Sequence, residues 1–117
     1  MLDFAYNQKT AQRAPLLVLL TVLTGRSGFE RDGSFSTSQG THWQSFDAGV
    51  AAQTFCLAAH EMGLGTVIMG IFDENKVAAL AGVPEGQSVA ALIAVGHPAE
   101  TPVSPKRKDV ETLVSYR

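Results

Sequence analysis

A chain of 117 residues has the length of one domain, and 45% hydrophobic against 17% charged residues is an apolar balance for a small monomer. Its net charge of −2 gives no general attraction for nucleic acid or for an anionic membrane surface. The single cysteine, Cys56, has no partner for an intrachain disulfide, and neither a signal peptide nor a bilayer-length apolar run is visible, so we expect one soluble, cytoplasmic domain over residues 1–117.

The first part of the chain predicts a polar lead-in, a buried strand and a long loop. Residues 1–13 are polar and compatible with a short helix. The continuous apolar run of residues 16–23 is typical of a strand covered on both faces. Residues 25–41 are rich in glycine and serine and form a loop that is long for a compact domain. Phe29 and Phe35 within this loop either line a pocket or pack on a partner.

A long helix is predicted from Thr41 to about Met62. Thr41 and Gln44 have the spacing of a capping box, and Gly63 stands where a left-handed residue ends a helix. Apolar or small residues cover most of its circumference, so we expect burial on nearly all sides, with the same helix of a second copy as one neighbour. They form two stripes: Trp43, Phe46, Val50, Thr54 and Leu57 on one side, and Ala48, Ala51, Ala52, Phe55, Ala59 and Met62 on the other.

The second part of the chain predicts two more strands and a short helix. Residues 66–69 form a short strand, Asp73 caps a helix that runs through about Leu80 and ends at Gly82, and residues 88–95 form a third apolar strand. Residues 98–117 contain three prolines and are expected to form an extended tail. The alternation of strands and helices indicates an α/β arrangement.

Few side chains look catalytic. His42, His60 and His97 lack the spacing of metal ligands, and Gly63-Leu64-Gly65 follows a helix, the reverse of the order in a nucleotide-binding loop. This pattern is typical of a protein whose chemistry is carried by a bound cofactor. Lys106-Arg107 is the one obvious anion clamp, although the spacing alone favours a solvated basic tail.

In the order and spacing of its segments, the chain resembles the flavin-dependent nitroreductase family over about residues 12–114. Each segment alone is weakly informative, but together they are specific. The segments are Ala14-Pro15-Leu16-Leu17-Val18, Asp47-Ala48-Gly49-Val50-Ala51-Ala52-Gln53, Gly63-Leu64-Gly65-Thr66, Phe72-Asp73, Val83-Pro84-Glu85-Gly86, Gly96-His97-Pro98 and Pro105-Lys106-Arg107-Lys108.

The resemblance implies an α+β fold of the three-layer α/β sandwich type, with a central buried dimer helix. It implies an obligate homodimer packed through the helix of about residues 43–62, with FMN in clefts at the interface. Ile68, Met69 and Gly70 would lie along the flavin ring and offer backbone hydrogen bonds, and Lys106 and Arg107 would bind its phosphate.

The activity that the resemblance implies is a ping-pong transfer of hydride. NADH or NADPH would reduce FMN, which would then reduce a nitroaromatic compound, a quinone or a related small acceptor. The family needs no side chain as an essential acid or base, so we predict no catalytic residue and no metal.

The front of the chain departs from the family pattern. Family members usually carry an Arg-Arg-Ser-x-Arg motif for the flavin phosphate and a Pro-Ser-x-x-Asn-x-Gln segment for the ring, and neither occurs here. The sequence therefore predicts a member shortened at the N-terminus, or a fragment. A non-catalytic dimeric remnant with weak or no flavin binding is the alternative to an active oxidoreductase.

Overall fold

Three strands form one antiparallel sheet with the last strand in the middle. The computed structural model describes residues 7–117, in which β1 (Leu16–Leu23), β2 (Gly65–Met69) and β3 (Gln87–Gly96) have the order β1-β3-β2. Leu19 of β1 and Met69 of β2 lie opposite Leu92 on its two sides. Since both outer strands are antiparallel to β3, they run parallel to each other, and β2 ends opposite Leu92 whereas β1 continues to Leu23 opposite Gln87.

Helices cover both faces of this sheet. On one face Ala11 and Val77 pack with Leu92 in a buried cluster, and on the other face Ala52 packs with Ile93. The three-layer arrangement implied by the family resemblance is therefore confirmed. The helices are α1 (Gln8–Arg13), α2 (His42–Glu61), α3 (Glu74–Ala81) and α4 (Val110–Leu113).

One extra residue in β3 shifts its register against β1. Leu20 lies opposite Ala91, whereas Thr21 lies opposite Val89, so Ala90 has no partner on β1 and its side chain is exposed. A bulge of this kind reverses the alternation of side chains beyond it. Val89 therefore joins the core with Leu92 in place of Ala90.

The C-terminal end of α2 has the predicted geometry. Gly63 has a φ of 76°, which lies in the left-handed region that glycine adopts without steric cost. The Leu64 N–H donates to the Ala59 carbonyl at 3.0 Å, and the Gly63 N–H donates to the His60 carbonyl at 2.9 Å. These two bonds define a Schellman motif, which turns the chain from α2 into β2.

The predicted capping box at the start of α2 is wrong. Thr41 has helical backbone angles, φ −66° and ψ −14°, instead of the extended conformation of a capping residue, and its side chain makes no capping hydrogen bond. The Gln44 Oε1 instead accepts a hydrogen bond from the Gly25 N–H at 2.9 Å. Gln44 thus closes the loop of residues 25–41 by joining its first residue to α2.

Within a single chain, α2 is buried on only one of the sides on which the sequence predicts burial. Ala48, Ala52 and Ala59 are buried toward the sheet, whereas Phe46 and Leu57 on the opposite stripe are 61% and 60% exposed. Within residues 7–117, the stripe that contains Phe46, Val50 and Leu57 is therefore left uncovered.

The cap of α3 agrees with the sequence prediction. The Asp73 Oδ1 accepts a hydrogen bond from the Lys76 backbone N–H at 3.1 Å, and the Lys76 Nζ lies 3.4 Å from the Asp73 Oδ2. The hydrogen bond from the Lys76 N–H is the main cause that holds the pKa of Asp73 below its usual value. The carboxylate form is therefore the one that the folded helix favours.

Replacing Asp73 with alanine should lower the melting temperature at neutral pH, because α3 loses its cap. A carboxyl whose pKa is depressed by folding stabilises above its unfolded pKa, and this contribution is lost as the pH falls through the folded pKa. The difference between wild type and Asp73→Ala should therefore shrink from about pH 4 downward in circular dichroism melts. Asp73→Asn keeps a hydrogen-bond acceptor without the charge, so its melting temperature should lack this pH dependence. A difference between wild type and Asp73→Ala that stays constant down to acid pH would contradict the assignment.

The tail of residues 98–117 is exposed along its whole length. It is extended except for the single turn of α4, which the sequence prediction did not include. The chain has a radius of gyration of 17.0 Å, against about 13 Å for a compact domain of this length. An unpacked tail contributes to this excess.

Candidate functional site

The predicted flavin-ring segment lies at the C-terminal end of β2. Met69 is 1% exposed, and its side chain packs in the cluster that contains Val77 and Leu92. Only the backbone of Met69 is therefore available to a ligand. Because neighbouring side chains of a strand point to opposite faces, Ile68 lies on the α2 face of the sheet, where its side chain is 47% exposed.

The outer edge of β2 and the space beside Gly70 are open. Within residues 7–117 β2 pairs with β3 alone, so its other edge has no strand neighbour. A Cβ atom added at Gly70 would meet nothing within 4 Å. A flat ligand can therefore approach the backbone at Gly70 closely, with the apolar side chain of Ile68 beside it.

The path of α2 explains why Ile68 stays open. The first half of α2, at Asp47 and Ala51, faces the C-terminal half of β1. The middle of α2, at Ala52, packs on Ile93 in the central strand. The helix thus starts over the C-terminal half of β1 and crosses to β3, and it leaves Ile68, near the end of β2, exposed on this face.

Lys106 and Arg107 lie in the exposed tail. The Arg107 Nη1 donates to the Pro105 carbonyl at 3.4 Å, which is a contact within the tail. Over residues 7–117 no hydrogen bond or ion pair links either cation to β2. The structure therefore brings Ile68, Met69 and Gly70 together on one strand end, but it does not bring Lys106 and Arg107 to them within one chain.

Residues 7–117 contain no group of three or more histidine, cysteine, aspartate or glutamate side chains placed to hold a metal ion. In this part of the chain no helix combines the length and the apolar character needed to cross a bilayer.

The chain is similar to a known protein family. The model described as the nitroreductase family matches residues 3–97, which is most of the chain. A curated protein from Thermus thermophilus, named NADH dehydrogenase, is 33% identical over 75 residues. The match covers 64% of this chain and 37% of that protein, so the chain spans a little over a third of the length of its curated relative.

Solved structures share the fold over nearly the whole chain. A nitroreductase family protein from Streptococcus pneumoniae superposes with a TM-score of 0.84 at 21% identity, covering 99% of this chain and 71% of that one. The NADPH:FMN oxidoreductase from Vibrio harveyi, solved with NAD+, superposes with a TM-score of 0.73 at 25% identity, covering 97% and 50%.

Proposed function

The chain belongs to the nitroreductase family, and on that premise we propose that it is an FMN-binding oxidoreductase acting on a small acceptor. Hydride would come from NADH or NADPH, and the acceptor would be a nitroaromatic compound, a quinone or a similar molecule. The observation that carries the proposal is the open end of β2, where Gly70 leaves space against the backbone and Ile68 offers an apolar surface. The likeness to the NADPH:FMN oxidoreductase of Vibrio harveyi supports the cofactor.

The residues at the end of β2 suit one side of a flavin ring. The ring is flat and apolar over most of its area, with polar atoms along one edge. Ile68 would contact the ring, and the free backbone groups around Met69 and Gly70 would hydrogen-bond its polar edge. A side chain at position 70 would occupy the space that the ring needs.

Lys106 and Arg107 suit the phosphate of the cofactor. Both side chains are exposed, and neither is paired with a carboxylate within the described residues. A guanidinium binds a phosphate by two parallel hydrogen bonds, and an ammonium adds a point charge. Because the tail extends away from the sheet, these cations would reach a phosphate beside β2 only when the tail folds back or lies on a second copy.

The redox chemistry would come from bound FMN. The chain would position the ring through Gly70 and Ile68, anchor the phosphate through Lys106 and Arg107, and limit the access of water. We assign no side chain the role of acid or base.

A homodimer packed through α2, at about residues 43–62, is the second part of the proposal. The chain exposes 9243 Å², whereas a compact monomer of its mass exposes about 6,100 Å². The surplus of about 3,000 Å² is shared between the exposed tail of residues 98–117 and the apolar stripe of α2, and each partner in an interface of standard size buries roughly 800 Å². Phe46, Val50 and Leu57 border a shallow apolar groove of about 540 Å³ on α2, which supports this helix as the contact.

The absorption spectrum of the purified protein, before and after FMN is added, tests the proposal directly. We expect visible flavin absorbance that stays with the protein on gel filtration, and oxidation of NADH or NADPH when an acceptor is present. Protein that takes up no FMN would favour the non-catalytic dimeric remnant. If the protein binds FMN but oxidises neither NADH nor NADPH, the proposed cofactor is supported and the proposed activity is contradicted.

Replacing Gly70 with valine should weaken FMN binding by about tenfold or more, since about 1.4 kcal/mol of lost contact and steric strain corresponds to that factor. The melting temperature of the flavin-free protein should change little, because a Cβ atom at Gly70 meets nothing within 4 Å. Gly70→Ala should give a smaller loss than Gly70→Val in fluorescence titrations. Equal affinity of wild type and Gly70→Val would place the ring elsewhere.

A further inference from the structure

A second cavity lies between β1 and the first half of α2, with a volume of about 320 Å³. Leu20 and Val22 of β1 form one wall, and Ala48 and Ala51 of α2 form the other. The space exists because alanine side chains are too short to fill the distance between a helix and a sheet. The walls are thus apolar, which suits the hydrocarbon part of a small ligand.

Arg26 lines this cavity, and hydrogen bonds hold the backbone on both sides of it. Before it, the Gly25 N–H donates to the Gln44 Oε1 at 2.9 Å, and Gly25 has a left-handed φ of 71° that turns the chain toward the cavity. After it, the Phe29 N–H donates to the Arg26 carbonyl at 3.1 Å. Hydrogen bonds on either side thus hold the turn that carries Arg26. Its guanidinium forms no hydrogen bond or ion pair with any part of the chain that the structure describes.

Asp47 of α2 lines the same cavity without a cationic partner. The ion pair found in residues 7–117 joins Lys76 to Asp73, so Arg26 and Asp47 form no direct ion pair with each other. A carboxylate held by the Arg26 guanidinium is attracted at contact distance, whereas a second negative charge on the side of Asp47 is repelled. The cavity therefore discriminates by charge as well as by shape.

We propose that this cavity binds a small monocarboxylate with an apolar, preferably aromatic, body. The carboxylate is held by the fork of the Arg26 guanidinium, and the apolar part lies between the alanines of α2 and the branched side chains of β1. Asp47 excludes dianions, which makes phosphate esters poor ligands.

This cavity is separate from the proposed flavin site. Its lining comes from β1, the turn after β1 and α2, and it does not include Ile68, Met69 or Gly70. β1 and β2 flank β3 on opposite sides, so the two sites lie about two strand spacings apart, roughly 10 Å. The inference thus goes beyond the proposed oxidoreductase activity and does not depend on it.

The test is a titration of the full chain with 4-fluorobenzoate, followed by fluorine NMR, with and without FMN. We expect saturable binding in both conditions. Arg26→Ala should weaken it by about tenfold or more, because a charge-assisted hydrogen bond is lost. Arg31→Ala removes the same charge from the same loop outside the cavity lining and should leave binding unchanged.

Two further variants test the cavity itself. Ala51→Leu should fill it and abolish binding without a change of charge. Asp47→Asn should raise the affinity for 4-fluorobenzoate. It should also reduce the ratio of the affinity for 4-fluorobenzoate to the affinity for the dianion 4-fluorophthalate. Absence of saturable binding, unchanged affinity in Arg26→Ala, or displacement by equal concentrations of inorganic phosphate would overturn the proposal.

Discussion

Replacing Lys106 and Arg107 together with alanine should weaken FMN binding by about 10²- to 10⁴-fold. Each charge-assisted hydrogen bond to the phosphate contributes about 1.5–3 kcal/mol, and both are lost. The flavin-free protein should keep its melting temperature, since both side chains are exposed and neither forms an ion pair within the described residues. Fluorescence titration with FMN measures the loss.

Riboflavin separates a phosphate contact from a general effect on the fold. It carries the same ring without the phosphate, so its affinity should be equal in wild type and in the double variant. The variant Lys9→Ala/Arg13→Ala removes the same net charge from exposed positions of α1 and should bind FMN like the wild type. The affinity of the wild type should fall as salt is added, and that of Lys106→Ala/Arg107→Ala should fall less.

If Lys106→Ala/Arg107→Ala and wild type bind FMN with equal affinity, Lys106 and Arg107 do not contact the phosphate and belong to a solvated basic tail. A parallel loss of riboflavin and FMN would mean that the tail acts on the ring site or on the fold. Either result leaves the open end of β2 as a separate question, which the substitution of Gly70 addresses.

The helix and strand positions followed from sequence because they depend on neighbouring residues. Gly63 and Gly82 end their helices through left-handed backbone, and Asp73 caps α3 through a contact three residues away. The apolar runs that became β1 and β3 are long enough to be recognised without knowledge of their partners. In each case the decisive interaction spans at most one turn or one strand.

Features that depend on distant residues did not follow from sequence. Gln44 has capping-box spacing, but the better partner is Gly25, 19 residues away, which only the folded chain brings near. The bulge at Ala90 depends on the register of β3 against β1, and that register is fixed by packing on both faces. Arg26 and Asp47 border one cavity for the same reason.

The sequence prediction placed the candidate site at the end of β2, but it did not indicate which side chains there are buried and which are exposed. The turn after Gly63 located the end of β2, but the alternation that buries Met69 and exposes Ile68 needed the pairing of β2 with β3. The basic segment was visible as charge, whereas its distance from β2 depends on how the tail folds, and the tail makes no buried contact within the described chain.

Replacing Leu57 with glutamate should convert the proposed dimer into monomers. Leu57 is 60% exposed on the apolar stripe of α2, so the single chain tolerates the change. In a two-fold interface each substitution occurs twice, and burying an unpaired carboxylate costs several kcal/mol per copy. We expect the dimer dissociation constant to rise by about 10³-fold or more, as measured by sedimentation velocity over a range of protein concentrations.

Leu80→Glu is the matched control for this substitution. Leu80 is 75% exposed on α3, on the layer opposite α2, so the same change at a similarly open helix position should leave the dimer intact. Because the proposed FMN clefts lie at the interface, Leu57→Glu should also lower FMN affinity, and high protein concentration should restore it. A wild type that is monomeric at all concentrations would contradict a dimer, and equal dissociation in Leu57→Glu and Leu80→Glu would mean that the interface is not confined to α2.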